Sequence, residues 1–251
     1  PVPISRTQSH LGKEGNDVQS YRVVVIGGGI TGTSVLYHLA ARGWSDIALI
    51  ERTELTAGSS WHAAGGFHAI NNDPVVAALQ SYTIEMYPKV AAESGVDIGL
   101  KLSGGIELAC TTERMRWLKA EVAWHQMMGH EGARLMEVDE IVDLVPIVNP
   151  EGLIGGLFDP DEGNLDPNGA VYAYAGAARG RGATIITHNR VQDIRRVAGG
   201  WELQTEQGPI HAEHVVNAAG MWGRRVGRMV GIDHPVTPIL HHYLVTEDVP
   251  E

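Results

Sequence analysis

A chain of 251 residues, 43% apolar and 20% charged, has room for one or two domains and a sizeable buried core. Its formal net charge of −11 argues against a nucleic-acid binder, because no basic run exceeds Arg195-Arg196 or Arg224-Arg225, and two Phe offer little for base stacking. The single cysteine, Cys110, excludes an internal disulfide and a Cys-based zinc site, and no apolar run reaches the ~18 residues of a membrane span.

Residues 1–20 are polar, lack the apolar core of a signal peptide and read as a flexible or draped arm. Residues 21–26 form a β-branched apolar run that suits a strand buried on both faces, and the run ends in Gly27-Gly28-Gly29. Residues 30–42 carry helical spacing at Ile30, Val35, Leu36 and Leu39 and stop at Gly43. Residues 47–50 are a second short strand closed by Glu51-Arg52, which completes a βαβ unit. A loop of small residues follows to Gly66. Asp73-Pro74 and Asp166-Pro167 each read as an N-cap with Pro at the first helical position, opening helices to about Glu93 and Arg181. Between them, residues 104–109 alternate like a strand and residues 112–128 form a long helix. Short strands are predicted at 184–187, 190–197, 201–205 and 210–216, the last three as a β-meander with turns at Gly199-Gly200 and Gln207-Gly208. A short helix carries Val226 to Val230, and residues 236–245 read as a final long strand.

Gly27, Gly29 and Gly32 form G-x-G-x-x-G between strand and helix, and Glu51 ends the next strand. The first Gly allows the tight turn, the second lets backbone N–H groups approach a pyrophosphate, and the third packs helix on strand. The anion would sit on the helix N-terminus. Glu51 would accept hydrogen bonds from ribose hydroxyls, and its charge disfavours a 2′-phosphate. A second βαβ half does not follow directly. Instead comes the small-residue loop 57–66, and a second strand ending in small residues, Val215-Val216-Asn217-Ala218-Ala219-Gly220, lies far downstream.

These segments resemble the flavin-binding part of the glycine-oxidase/sarcosine-oxidase superfamily, and within it the dimethylglycine and sarcosine dehydrogenases. The likeness is carried by VVVIGGGITG from Val23, Glu51-Arg52, SSWHAAGG at 59–66, SGGIELA at 103–109, NRVQDI at 189–194, VVNAAGMWG at 215–223 and LHHYLVTE at 240–247. The resemblance implies an α/β fold: a Rossmann-like FAD-binding domain with a β-meander, plus a mostly antiparallel β substrate part, C-terminally incomplete. The expected division gives the FAD domain residues 21–72 and 160–232, and the substrate part residues 73–159 and 233–251. FAD is the implied cofactor, contacted by Gly27, Gly29, Ile30, Thr31, Gly32, Glu51, Arg52, Ser59, Ser60, Trp61, His62, Gly65, Gly66, Val191, Ala219 and Gly220. A ring nitrogen of His62 is implied to bond the flavin 8α-carbon, and the Val191 backbone to clasp the adenine. Gly66 departs from the larger residue commoner in the family. Tetrahydrofolate would enter only through a region outside these residues.

On the substrate side, alternation in the last strand places His241 and Tyr243 on one face. The resemblance makes His241 the group that keeps a substrate amine neutral or accepts its proton, a task suited to imidazole near neutrality. Tyr243 lines the same site. The implied reaction is hydride transfer from the N-methyl group of a small methylated amino acid, with an electron-transfer flavoprotein or O₂ as acceptor. The iminium product would give formaldehyde or a folate adduct. Two alternatives stay open: another flavin amine or amino-acid oxidase using O₂, and a non-catalytic FAD-binding fragment or subunit. The family's third glycine segment is expected beyond Glu251, so the 251 residues read as part of a larger assembly or gene product. No metal-ligand motif is present: Asp159-Pro160-Asp161-Glu162-Gly163 fails the calcium-loop register. The low cysteine use fits a reducing compartment, cytoplasm or mitochondrial matrix.

Overall fold

A computed structural model describes residues 18–129, 131–244 and 247. In chain order the elements are β1 (Gln19–Ile26), α1 (Ile30–Ala41), β2 (Ile47–Ile50), a 3₁₀ turn (Ser60–His62), β3 (Gly66–Phe67), α2 (Pro74–Ser94), β4 (Gly105–Ala109), α3 (Thr112–Met127), β5 (Arg134–Met136), α4 (Val138–Leu144), β6 (Gly155–Asp159), β7 (Gly163–Asn164), α5 (Pro167–Gly180), β8 (Thr184–Ile186), β9 (Val191–Val197), β10 (Gly200–Thr205), β11 (Gly208–Asn217), a second 3₁₀ turn (Gly220–Trp222) and α6 (Gly223–Met229).

The main sheet has the order β8-β2-β1-β11-β10-β9. Its β8, β2, β1 and β11 run parallel, while β9, β10 and β11 form the antiparallel meander. The central strand explains the two-sided core. Val23 and Val25 pack with Leu36 and Tyr37 of α1 and with Val171, Tyr174 and Ala178 of α5. Val24 and Ile26 face the other way, onto Ile194, Leu203, Ile210, Ala212 and Val226. Successive side chains on a strand point to opposite faces, so a continuous apolar run is what a strand covered on both sides requires.

Both Asp-Pro signals open helices where expected. Asp73 Oδ1 accepts from the backbone N–H groups of Val75 at 2.8 Å and Val76 at 3.1 Å. Asp166 accepts from Asn168 N–H at 2.9 Å and Gly169 N–H at 3.0 Å. Gly95, at φ 70°, closes α2. Helix α2 packs on α5, contributing Met86 and Val90 to the helical side of the core. Arg181, just past α5, pairs with Glu93 near the end of α2, and Tyr37 donates to the same carboxylate at 2.9 Å.

A second sheet, β4-β6-β5, is wholly antiparallel. With α3 it encloses a small core of Ile70, Ala109, Leu118, Val122, Ala133 and Leu157. The fold is thus a Rossmann-like α/β layer with a β-meander and a smaller antiparallel part.

Four departures from the sequence expectation have physical causes. The arm at 1–20 lies outside the described residues up to residue 17, and Gln19 and Ser20 already pair with Ile210 and His211 in β1. The final strand expected at 236–245 does not form: residues 236–244 are irregular and exposed, and Val245 lies outside the described residues. Among the described residues no neighbouring strand supplies the hydrogen-bond ladder that its apolar pattern alone cannot replace. Strands β5 and β6 escape sequence reading because one has three residues and the other opens on two glycines. Gly156 is needed there, since a Cβ would lie 2.7 Å from the Glu107 carbonyl oxygen. Helix α4 spans seven residues, and Glu137 before it caps no N–H with its side chain.

Candidate functional site

The three glycines of the turn act as their spacing suggests, each against a different obstacle. Gly27 sits at φ 118°, and a Cβ there would lie 2.4 Å from the Ala218 carbonyl oxygen. Hydrogen bonds from Gly27 N–H to Ile50 O (2.9 Å) and from Ala218 N–H to Ile26 O (2.9 Å) hold the turn between β2 and β11. At Gly32 a Cβ would lie 1.9 Å from the Gly27 carbonyl oxygen, so glycine alone lets α1 start this close to β1. At Gly29 the near atom is Ser60 Oγ, 3.0 Å from a Cβ. No side chain of Gly29 exists to cap α1. Instead the Ile30 N–H donates to Ser60 Oγ at 3.0 Å, which docks the 57–62 loop onto the helix N-terminus. The first turn of α1 carries no acidic side chain, so its dipole is left for an anion.

A cleft of about 230 Å³ opens over this turn. Its floor is Ile26 to Thr31, and its walls include Ile50, Glu51, Arg52, Gly58, Ser59, Ser60, Val191, Ala219, Gly220 and Trp222. Glu51 Oε2 accepts from Gly28 N–H at 2.8 Å, and its Oε1 accepts from Thr53 N–H at 2.9 Å. The carboxylate is thereby fixed at the cleft edge with lone pairs to spare for hydroxyl donors. Val191 begins β9 and is buried against the same wall. Arg52 stacks over the Trp222 ring, its Cζ 3.7 Å from the centroid. A floor of three consecutive glycines, where a Cβ at Gly27 would strike the Ala218 carbonyl, a helix N-terminus and an edge carboxylate together fit the adenosine diphosphate part of a dinucleotide.

Of the residues proposed from sequence, Gly27, Gly29, Ile30, Thr31, Glu51, Arg52, Ser59, Ser60, Val191, Ala219 and Gly220 line this one cleft. Gly32 lies behind it, buried in α1. Trp61, His62, Gly65 and Gly66 lie outside its lining. Gly65 is there for a close approach, since a Cβ at φ 84° would lie 2.1 Å from the Leu165 carbonyl oxygen. Gly66, by contrast, has open space where a Cβ would project.

His62 is exposed, stacks on Trp61 with ring centroids 3.6 Å apart, and has Nδ1 3.3 Å from the Tyr243 hydroxyl. Tyr243 is therefore beside the loop, although it reaches there from irregular chain and not from a strand. His241 is exposed on the same segment and does not line the cleft. Sequence reasoning missed Asn189, Arg190, Met221, Trp222, Arg225, Val226 and Met229 as cleft-lining residues. Four of these, Asn189, Arg190, Met221 and Trp222, lie within segments already singled out as motifs. The lining role of Arg225 has no local signature.

Away from the cleft, α3 buries a carboxyl. Glu121 is 6% exposed, and its Oε2 has no hydrogen-bond partner. Burial first, and the Glu107 carboxylate second, push its pKa up to about 7 against the opposing pull of Arg114 and His68.

Comparison with known proteins agrees with this geometry. Residues 22–251 match the DAO family, described as FAD dependent oxidoreductase. The chain is 37% identical over 232 residues to the mitochondrial dimethylglycine dehydrogenase of Rattus norvegicus, covering 91% of this chain and 27% of that protein. It is 35% identical over 237 residues to the mitochondrial sarcosine dehydrogenase of Homo sapiens, covering 90% and 25%. Its fold overlays the L-proline dehydrogenase of P. horikoshii with a TM-score of 0.81 at 25% identity, covering 88% of this chain and 58% of that one. The chain thus spans about a quarter of the length of these curated relatives. It belongs to the FAD-dependent oxidoreductase (DAO) family.

Proposed function

We propose that this family member binds FAD in the cleft over Gly27–Thr31 and oxidises the N-methyl carbon–nitrogen bond of a small methylated amino acid, of the dimethylglycine or sarcosine type. The observation that carries the reading is the docking of the Ser59-Ser60 loop on the glycine turn, through the Ile30 N–H to Ser60 Oγ bond of 3.0 Å. A single glycine turn suits many nucleotides; a turn sharing one cleft with Ser59, Ser60, Ala219 and Gly220 suits a ligand that continues past its diphosphate along the 58–60 loop.

FAD, when bound, supplies the hydride acceptor. The chain's own residues hold and orient it. The N–H groups at the start of α1 meet the diphosphate, Glu51 accepts from ribose hydroxyls, and the Val191 backbone borders the adenine. Ser59, Ser60, Trp61, Gly65 and Gly66 would line the route to the ring, and the His62 imidazole is the group that would hold it covalently. His241 keeps the substrate amine unprotonated, since only a free lone pair can assist loss of hydride from N–CH₃. Tyr243 lines this side of the site. Residues 21–72 and 160–232 serve the cofactor, and residues 73–159 and 233–251 serve the substrate. An electron-transfer flavoprotein or O₂ takes the electrons. The oxidised product yields formaldehyde, or a folate adduct where a further region of the whole protein binds tetrahydrofolate. Cytoplasm or mitochondrial matrix would provide the setting. Among the described residues no helix is long and apolar enough to cross a membrane.

The test is flavin absorbance after acid precipitation, coupled to turnover of dimethylglycine and sarcosine with an artificial electron acceptor on a full-length version. Retained yellow colour that is lost in His62→Ala supports the covalent link. No reduction by any N-methylated amino acid overturns the substrate reading. One observation favours a second reading, in which FAD is held without a covalent link, as in an alternative flavin amine oxidase: His62 is exposed and outside the cleft lining. Colour released to the supernatant, with peroxide formed on turnover, would select it.

A further inference from the structure

We propose that Trp222 is a positioning residue that parks the Arg52 guanidinium across the mouth of the cleft, and that the pair clasps the adenosine diphosphate half of the bound cofactor. This rests on the dinucleotide reading above. Arg52 follows β2 and Trp222 follows β11, the two strands that flank β1 on opposite sides. The Cζ-to-centroid distance of 3.7 Å therefore bridges two walls of the cleft, and both residues line it. The 57–62 loop passes beside the ring: a Cβ built at Gly58 would lie 3.4 Å from Trp222 Cζ3. Trp222 is half-buried while Arg52 is exposed, so the aromatic ring is the fixed partner and the long side chain is the one that swings.

The charge of Arg52 is also uncommitted. Arg224 and Arg228, close by in α6, both pair with Asp233. No carboxylate of the described residues forms an ion pair with Arg52, and Glu51, the cleft's acidic residue, already receives the Gly28 and Thr53 N–H groups. In a chain of net charge −11, a guanidinium held at a cleft mouth by a ring, and not by an anion, keeps its attraction for one. The ligand chemistry is a nucleoside diphosphate. The clasp opens for entry when Arg52 leaves the ring, and closes when the diphosphate charge draws the guanidinium back over it.

The experiment uses ADP on the flavin-free chain, with off-rates from stopped-flow displacement of a fluorescent ADP analogue and equilibrium binding of ADP and adenosine. Trp222→Ala and Arg52→Ala are each expected to raise the ADP off-rate about fivefold, with smaller effects on the on-rate. Both lose the same share of the preference for ADP over adenosine, and the double variant is no worse than either single one. Trp222→Phe, which keeps a π face, restores most of the retention, and its folding is checked by the same unfolding transition as the wild type. Unchanged off-rates in both alanine variants, or fully additive effects in the double variant, overturn the clasp while leaving the dinucleotide reading standing. Failure of the wild-type chain to bind ADP at all overturns the dinucleotide reading and the clasp with it.

Discussion

Replacing Gly32 with alanine puts the geometry of the turn under direct test. The added Cβ would start 1.9 Å from the Gly27 carbonyl oxygen, and the Ala218 Cβ, 3.5 Å away, closes the other side. The obstacle is backbone, so no side-chain rotation relieves it. Helix α1 must retreat from β1 by more than an ångström, which pulls Leu36 and Tyr37 away from Val23, Val25 and the α5 alanines. Overpacking of this kind costs ~1–3 kcal/mol, and a purely backbone clash belongs at about 3 kcal/mol. For a chain of this size that corresponds to a fall in Tm of about 6–12 °C. Urea unfolding at unchanged m-value gives the free energy, and ADP binding gives the site. ADP affinity should fall at least about tenfold, because the same retreat moves the α1 N–H groups away from the diphosphate. Gly180→Ala is the matched comparison. Its Cβ meets nothing within 4 Å, and at the last residue of α5 it is expected to leave Tm and ADP affinity close to wild type. A Gly32→Ala chain with wild-type Tm and wild-type ADP affinity would refute the close-approach reasoning.

Three further outcomes follow from the same structure. Glu51→Ala removes an acceptor from the Gly28 and Thr53 N–H groups as well as from the ribose, so calorimetric ADP affinity should drop about tenfold, with adenosine affected as strongly. Asp166→Ala strips the cap of α5, and should lower stability by ~1 kcal/mol and Tm by about 2–4 °C; an unchanged Tm would mean that water replaces the cap at no cost. Glu121 has its pKa raised from 4.5 to about 7, so the folded state holds a proton that the unfolded chain releases. Its protonated form therefore favours folding at low pH, and that contribution is lost as pH rises from about 4.5 through 7. Glu121→Gln should remove this slope and be relatively more stable, by on the order of 3 kcal/mol, at pH 8 than at pH 5; a pH-independent difference between the two proteins would sink the argument.

The parallel core was legible in the sequence because each of its signals is local. The β-branched run at 21–26, the three glycines, and the Asp-Pro caps at 73 and 166 state their conformations within a few residues. What stayed hidden depends on partners far along the chain. Gly155 and Gly156 carry little strand propensity, and β6 exists because β4 and β5 flank it. The converse holds at 236–244, where a convincing strand pattern lacks a neighbour among the described residues. In the cleft, residues inside motifs were foreseen, whereas Arg225 reaches the wall only through the placement of α6 after β11.

The pairing of β1 with β11 also sets a schedule. Val24 lies beside Ala48 early in the chain, but its other neighbour, Val215, is about 190 residues downstream. At roughly 5–20 residues per second of synthesis, the glycine turn waits about 10–40 s on the ribosome for the carbonyl of Ala218 that completes it. Until then β1 has one bare edge, and the nucleotide floor has one wall. Cofactor capture is consequently a late event in the life of the chain, and whatever shields that edge in the interval decides how much of the protein reaches it.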